Sequence, residues 1–391
     1  MKKSLFAIAA VTAFAGAAQA QSSVTVYGLL DGGLGVTNID YNATQKQSQT
    51  AIGGFQSLNG TGNLSGSRLG FRGVEDLGGG NRAGFVLETA INYNNATSPT
   101  TAATMSDSAS AANGTAMFAN VRNAYMSLGN SKFGELRIGT QNSLAKDTTE
   151  AFDPQGGPNI TGTSSLYQQN LVTRYGQAAT YQAPTMSGIT FRAQTTVDGT
   201  PSNNGGTTAA NATPTSNRSS SASIDFTQGP IKVGGIYERR TTWYSAAGTV
   251  NTMVAVGPAG TAASVSPSIN YYALGGSYDL KVVKPTVLYY NQSVNGAFAA
   301  TSGTTSGVLL GVTAPVTAAF SLSATYTDGK VTNNNAGVYD TTGMQFVGNY
   351  ALSKRTGAYV AYGQTDWKSN ATATTASVTV QQYAIGMRHT F

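Results

Sequence analysis

The run Phe320-Ser321-Leu322-Ser323-Ala324-Thr325-Tyr326-Thr327 alternates at every step: Phe320, Leu322, Ala324 and Tyr326 share one face of an extended chain, and the hydroxyl residues share the other. Period two is the pattern of a strand whose two faces meet different surroundings. It returns in Ser67-Arg68-Leu69-Gly70-Phe71-Arg72, where Leu69 and Phe71 oppose Arg68 and Arg72, and in Ile189-Thr190-Phe191-Arg192-Ala193-Gln194. About sixteen such segments follow one another from Val24 to Phe391. Their connections alternate in length. Short turns fall at 75–80, 130–132, 184–186, 228–230 and 353–356, and long polar loops at 38–63, 94–117, 142–170, 198–217, 242–267 and 330–340. An even strand count, tight turns at one end and long loops at the other describe an all-β chain folded as a transmembrane antiparallel β-barrel. Closure is a physical requirement, because an open sheet edge in lipid leaves backbone groups without partners.

Composition agrees. Of 391 residues only 10% are charged, whereas soluble domains carry about 25%. The 47 Gly, 20 Tyr and 14 Phe also set the chain apart from a disordered one. Cysteine is absent and His389 is the one histidine, which removes thiol catalysis, disulfide frameworks and nearly every His- or Cys-based metal site. The most apolar stretch, Val308 to Phe320, is too short for a membrane helix and is interrupted by Gly311, Thr313, Pro315 and Thr317.

The first twenty residues address the chain. Lys2 and Lys3, the apolar stretch from Leu5 to Ala15, and Ala18-Gln19-Ala20 form a secretory signal in the expected order. Residues 1–20 are therefore expected to be removed and 21–391 to form the barrel. Without the two lysines the formal charge falls from +6 to +4. The surplus is scattered, with no Lys/Arg run, so nucleic acid is not an expected partner.

A soluble β-sandwich or a fibrous adhesin also alternates, but neither accounts for the ending Tyr383-Ala384-Ile385-Gly386-Met387-Arg388-His389-Thr390-Phe391. Its odd positions are mostly bulky or apolar and it closes on an aromatic residue, as the last strand of a barrel requires at the membrane interface. Gly78-Gly79-Gly80-Asn81-Arg82-Ala83 fits a Gly-x-Gly-x-x-Ala dinucleotide fingerprint formally, but it occupies a hairpin turn and not a strand-to-helix junction. No phosphate-binding loop is present. The reading is of a non-enzyme that needs no cofactor and no metal.

The chain resembles the general porins of Gram-negative outer membranes, especially the β-proteobacterial type. The resemblance rests on Ser23-Val24-Thr25-Val26-Tyr27-Gly28, on the hairpin Ser67-Arg68-Leu69-Gly70-Phe71-Arg72-Gly73-Val74-Glu75-Asp76-Leu77-Gly78, on Phe133-Gly134-Glu135-Leu136-Arg137-Ile138-Gly139, and on Gly386-Met387-Arg388-His389-Thr390-Phe391. It implies a sixteen-stranded barrel assembled as a homotrimer among outer-membrane lipids and lipopolysaccharide, a third loop folded into the pore, and a terminal Phe391 that serves as an assembly signal. It further implies a basic wall at the constriction carried by Arg68, Arg122 and Arg174, opposed by Asp147, Glu150 and Asp153 of the third loop.

Face parity turns Arg68, Arg72, Arg82, Arg122, Arg174, Arg192 and Glu88 toward the lumen, so Arg72 and Arg82 join the expected basic wall. Opposite charges fixed across a narrow aperture make a transverse field. The expected function is passive diffusion of ions and small hydrophilic solutes, with weak anion preference. The chain departs from the pattern at Thr140-Gln141, where a basic residue often follows Ile138-Gly139. Leu29 stands where enteric relatives place a lysine, and the loop reads Asp153-Pro154-Gln155-Gly156-Gly157. A solute-selective channel of the same fold, and a surface adhesin or phage receptor acting through the long loops, are the alternatives.

Overall fold

A computed structural model describes residues 23–41, 45–55, 61–93, 118–168, 171–196, 217–242, 268–295, 302–333, 337–370 and 377–391. The expected signal at 1–20 and the outer parts of the long loops lie outside the described residues. The strands are β1 (Ser23–Tyr41), β2 (Gln45–Ile52), β3 (Arg68–Gly78), β4 (Asn81–Ile91), β5 (Phe118–Asn130), β6 (Gly134–Asn142), β7 (Arg174–Gln182), β8 (Ile189–Thr196) and β9 (Asn217–Gln228). The second half supplies β10 (Ile231–Thr242), β11 (Ser268–Tyr278), β12 (Lys284–Asn295), β13 (Gly303–Pro315), β14 (Phe320–Asn333), β15 (Gly337–Ala351), β16 (Thr356–Ser369) and β17 (Ser377–Thr390). Two short helices, α1 (Leu144–Glu150) and α2 (Thr163–Tyr167), interrupt the connection from β6 to β7.

Each strand pairs antiparallel with its neighbours, and β17 returns to β1 from Leu29↔Thr390 to Tyr41↔Val378. The sheet is thus a closed barrel. Seventeen strand segments fill sixteen positions, because β2 and β3 share one side of β1: β3 pairs with residues 23–29 and β2 with residues 34–41. At the junction the backbone ladder of β1 is completed by side chains. Ser67 Oγ accepts from the Asp31 amide at 3.0 Å, and the Tyr93 hydroxyl reaches the carbonyls of Asp31 and Gly53. These contacts meet the demand that no backbone polar group be left bare beside lipid.

The burial pattern is inverted relative to a soluble protein. Leu87, Met126, Ile138, Leu274, Leu310, Val360 and Ile385 are exposed on the outer face, whereas Thr325, Thr327, Gln345 and Thr365 are buried on the inner one. Phe391 packs its ring over Gly28 on the outer face and exchanges backbone hydrogen bonds with it at 3.1 and 3.2 Å.

Several strands run beyond the ends that alternation marks. Of the expected loop at 38–63, residues up to Tyr41 belong to β1 and Gln45–Ile52 form β2. The expected loop at 330–340 is mostly strand, in β14 and β15. These extensions, such as Gln45-Lys46-Gln47-Ser48-Gln49, are polar on both faces. Past the membrane both faces meet water, so pairing continues while the apolar alternation stops. The Gly78–Gly80 triplet is a hairpin turn with φ of 79°, 62° and 81°, a left-handed run that glycine adopts without steric cost. That accounts for the match to a dinucleotide fingerprint.

Candidate pore constriction

The connection from β6 to β7 turns into the barrel and crosses to the far wall. Ser143 caps α1, its Oγ accepting from the Lys146 amide at 3.1 Å, which starts the helix by satisfying one of its orphan donors. From there the chain lies on inward-facing glycines. A Cβ on Gly275 would stand 2.2 Å from the Phe152 ring, one on Gly311 2.6 Å from Pro154, and one on Gly363 1.8 Å from the Thr161 carbonyl oxygen. Only a wall without side chains at these points lets the loop approach so closely. Hydrogen bonds complete the seat: Gln155 Nε2 donates to Ser323 at 2.9 Å, the Gly162 amide to Thr365 at 3.0 Å, and the Thr161 amide to Gln382 at 2.5 Å. Asn159 donates to the Gly62 carbonyl at 2.9 Å, tying the third loop to the first.

The first loop is held from below by Asp31. Its carboxylate accepts from the amides of Asn63 (3.3 Å), Leu64 (3.0 Å) and Ser65 (2.7 Å) and from the Tyr359 hydroxyl.

Facing the third loop is a cluster of charge on β3, β4, β5 and β7. Glu88 is its hub. It receives Arg122 Nε at 2.7 Å, the Tyr27 hydroxyl at 3.0 Å and, more distantly, Arg68 Nε at 3.9 Å. Arg174 is fully buried beside them, and its guanidinium lies within electrostatic reach of Arg68, Arg122, Glu88 and Glu150. Among the described residues of this cluster, three guanidiniums stand against one wall carboxylate, which leaves this side net positive.

Local irregularities aim these side chains. Arg122 lies inward as expected, but not by the parity that expectation invoked: it shares the parity of the lipid-facing Met126 and Leu128, and unbroken period two would turn it outward. The register between β4 and β5 shifts between Glu88 and Thr89, which pair with Asn123 and Val121. Arg122 is the extra residue of a bulge, and a bulge re-aims the side chain it carries. Gln177, with φ 51°, marks a second irregularity on β7, beyond which Tyr175 and Arg174 are both buried.

The other expected basic residues are not brought to this cluster. Arg72 packs over the Tyr27 ring, 5.3 Å from its centroid, four residues below Arg68, or roughly 13 Å along the strand. Arg82 stands beside the short turn at the opposite end of β4 and pairs with Glu135 at 3.1 Å, roughly 26 Å along the strand from the level of Arg68. Arg192 binds Asp225 at 2.8 Å and Asp147 at 3.6 Å, clamping α1 to the wall.

The three loop acids also divide. Glu150 is the one whose charge acts on both Arg68 and Arg174. It is bridged within α1 by Lys146, four residues earlier, and receives Gln168 Nε2 at 3.2 Å. Burial raises its pKa, and the Lys146 charge opposes that rise. Asp147 turns to Arg192 and to Asn142, which donates at 2.9 Å. Asp153 differs most from expectation: it is 6% exposed and folded into the loop. It accepts from the Tyr167 hydroxyl at 2.7 Å and from the amides of Gln155 and Gly157 at 2.9 and 3.1 Å. It organises the turn instead of facing the aperture, and burial raises its pKa. Sequence reading did not single out Lys146, although a Lys and a Glu four apart at a helix start was the available signal.

Comparison with known proteins agrees with this architecture. The family model described as Gram-negative porin matches residues 7–370. An outer membrane porin protein of Bordetella pertussis is 30% identical over 308 residues, covering 76% of this chain and 71% of that protein. Among solved structures, an anion-selective porin from Comamonas acidovorans superposes with a TM-score of 0.69 at 20% identity, over 95% of this chain and 100% of that one. The trimer form of in-vitro folded OmpT from Vibrio cholerae gives 0.61 at 15% identity, over 95% and 99%.

Proposed function

This chain belongs to the Gram-negative porin family, and on that premise we propose that its pore passes small anions in preference to cations. It is an outer-membrane diffusion porin, a non-enzymatic channel through which ions and small hydrophilic solutes move passively.

One observation carries the selectivity: the Arg68–Arg122–Arg174 side holds one carboxylate, Glu88, while Glu150, the loop acid that faces it, is bridged by Lys146. The aperture therefore has a strongly positive wall and a weakly negative one. An anion crossing it meets net attraction, and water between the walls aligns with the transverse field. A polar solute can replace those oriented hydrogen bonds. An apolar one cannot and faces a higher barrier.

Reversal potentials of the purified protein in a planar bilayer under a KCl gradient test the proposal. A chloride-to-potassium permeability ratio above one, roughly two- to five-fold, is expected; a ratio below one would overturn it. We further infer a homotrimer set among outer-membrane lipids and lipopolysaccharide, supported by the trimer form of the structurally similar OmpT and by the apolar outer face. We also infer that Phe391, on the outer face against Gly28, acts as an assembly signal.

A further inference from the structure

On the short-turn side of the third loop, a recess of about 500 Å³ opens against the inner face near the ends of β14–β17. It reaches from Leu29 down to the turns that join β13 to β14 and β15 to β16. Leu29 pairs with Arg68 on one side and with Thr390 on the other, so the recess begins where the basic wall of the constriction ends.

The lining side chains include Lys354, Arg355 and Arg388 and no Asp or Glu. Arg388 is half-buried on the inner face of β17, where its guanidinium donates to Ser65 Oγ and Asn349 Oδ1, both at 3.3 Å. Both partners are neutral and both contacts are long, which leaves much of a five-donor fork available. Asp31 is the cross-strand partner of Arg388, and its oxygens are taken by three loop amides and Tyr359. Lys354 and Arg355 sit on a turn fixed by Ser353, whose Oγ accepts from the amides of Arg355 and Thr356 at 3.2 and 3.0 Å. Their charges are thus presented from a defined backbone.

We propose that this recess is a second anion subsite, between the constriction and the short-turn mouth, which holds a phosphate or carboxylate group in transit. A guanidinium with open donors matches the geometry of an oxyanion through paired hydrogen bonds, an advantage a spherical chloride does not share. The inference goes beyond the selectivity proposal: the constriction ranks anions over cations, and the recess ranks oxyanions over halides.

The test uses inorganic phosphate against a chloride current through the full-length protein inserted in one orientation. Phosphate added at the short-turn side is expected to reduce the current saturably, and at the long-loop side to do so only at much higher concentration. Lys354→Gln with Arg355→Gln, on an exposed turn, should raise the half-blocking concentration about ten-fold. Arg388→Gln should do the same, with the KCl reversal potential unchanged in both. No block, block equal from both sides, or block indifferent to the turn variant would overturn the subsite. A cation preference in KCl alone would instead sink the selectivity proposal and leave a one-sided phosphate block standing.

Discussion

The carbonyl oxygen of Thr161 occupies the space that a Cβ on Gly363 would fill, at 1.8 Å. Loop backbone and barrel wall are in contact with nothing between them, and the neighbouring bonds from Thr161 and Gly162 to Gln382 and Thr365 depend on that approach. Gly363→Val should therefore unseat the tip of the third loop without opening the barrel. The expected outcome is a higher single-channel conductance and passage of larger neutral sugars in liposome swelling, with the folded band retained on unheated gels. An unchanged exclusion limit would show that the tip is held elsewhere.

Glu88 is the carboxylate that offsets the arginine wall. Glu88→Gln retains an oxygen acceptor for Arg122 and Tyr27 but removes the charge. Chloride preference should rise roughly two-fold, and the barrel should lose about 1–3 kcal/mol of stability, because hydrogen bonds to a charged group become ordinary ones. Permeability ratios and urea unfolding in detergent report the two effects separately. A fall in chloride preference would contradict the assignment.

The raised pKa of Glu150 gives the pore a pH dependence of fixed sign. As pH falls, this carboxyl takes up its proton above the ordinary carboxylate range, the loop loses negative charge, and anion preference increases. Stability follows the same direction. A carboxyl that holds its proton more tightly folded than unfolded stabilises the fold as pH drops through its raised pKa, and costs stability as pH rises through it. Glu150→Gln should abolish the selectivity shift in this window; if the shift persists, another group titrates.

Asp153 should behave differently. Its oxygens close a turn and hold Tyr167, so Asp153→Asn is expected to loosen the loop more than it shifts ion selectivity. Noisier single-channel current with little change in reversal potential would be the result. A selectivity shift as large as that of Glu150→Gln would place Asp153 at the aperture after all.

Phe391 closes the outer face against Gly28. Phe391→Ser should lower the yield of membrane-inserted barrel several-fold, with Phe391→Tyr close to the parent. Equal yields of Phe391→Ser and the parent, read from heat-modifiable gel mobility of outer-membrane fractions, would remove the assembly role.

The barrel was legible because lipid on one side and water on the other write period two into each strand. Where that contrast ends the signal ends too, which is why Gln45–Ile52 read as loop although it pairs with β1. The site was legible in part. Arg68 lies inward by simple alternation. Arg122 reaches the lumen through a bulge that alternation from Met126 does not anticipate, and Arg82 has the expected parity but stands at the wrong height. Asp153 carries a charge that suggested the aperture, yet its neighbours Gln155 and Gly157 make it a turn-former, a choice set by backbone geometry. The inward glycines that seat the third loop are visible one by one, but what they face lies up to two hundred residues away.

That separation sets the order of construction. The third loop is synthesised before the strands it rests on, and its farthest anchor, Gln382, belongs to the last strand. The filter is therefore finished only when the cylinder is. A misjoined barrel would be an unguarded hole, so the step that joins the last strand to the first also sets permeability.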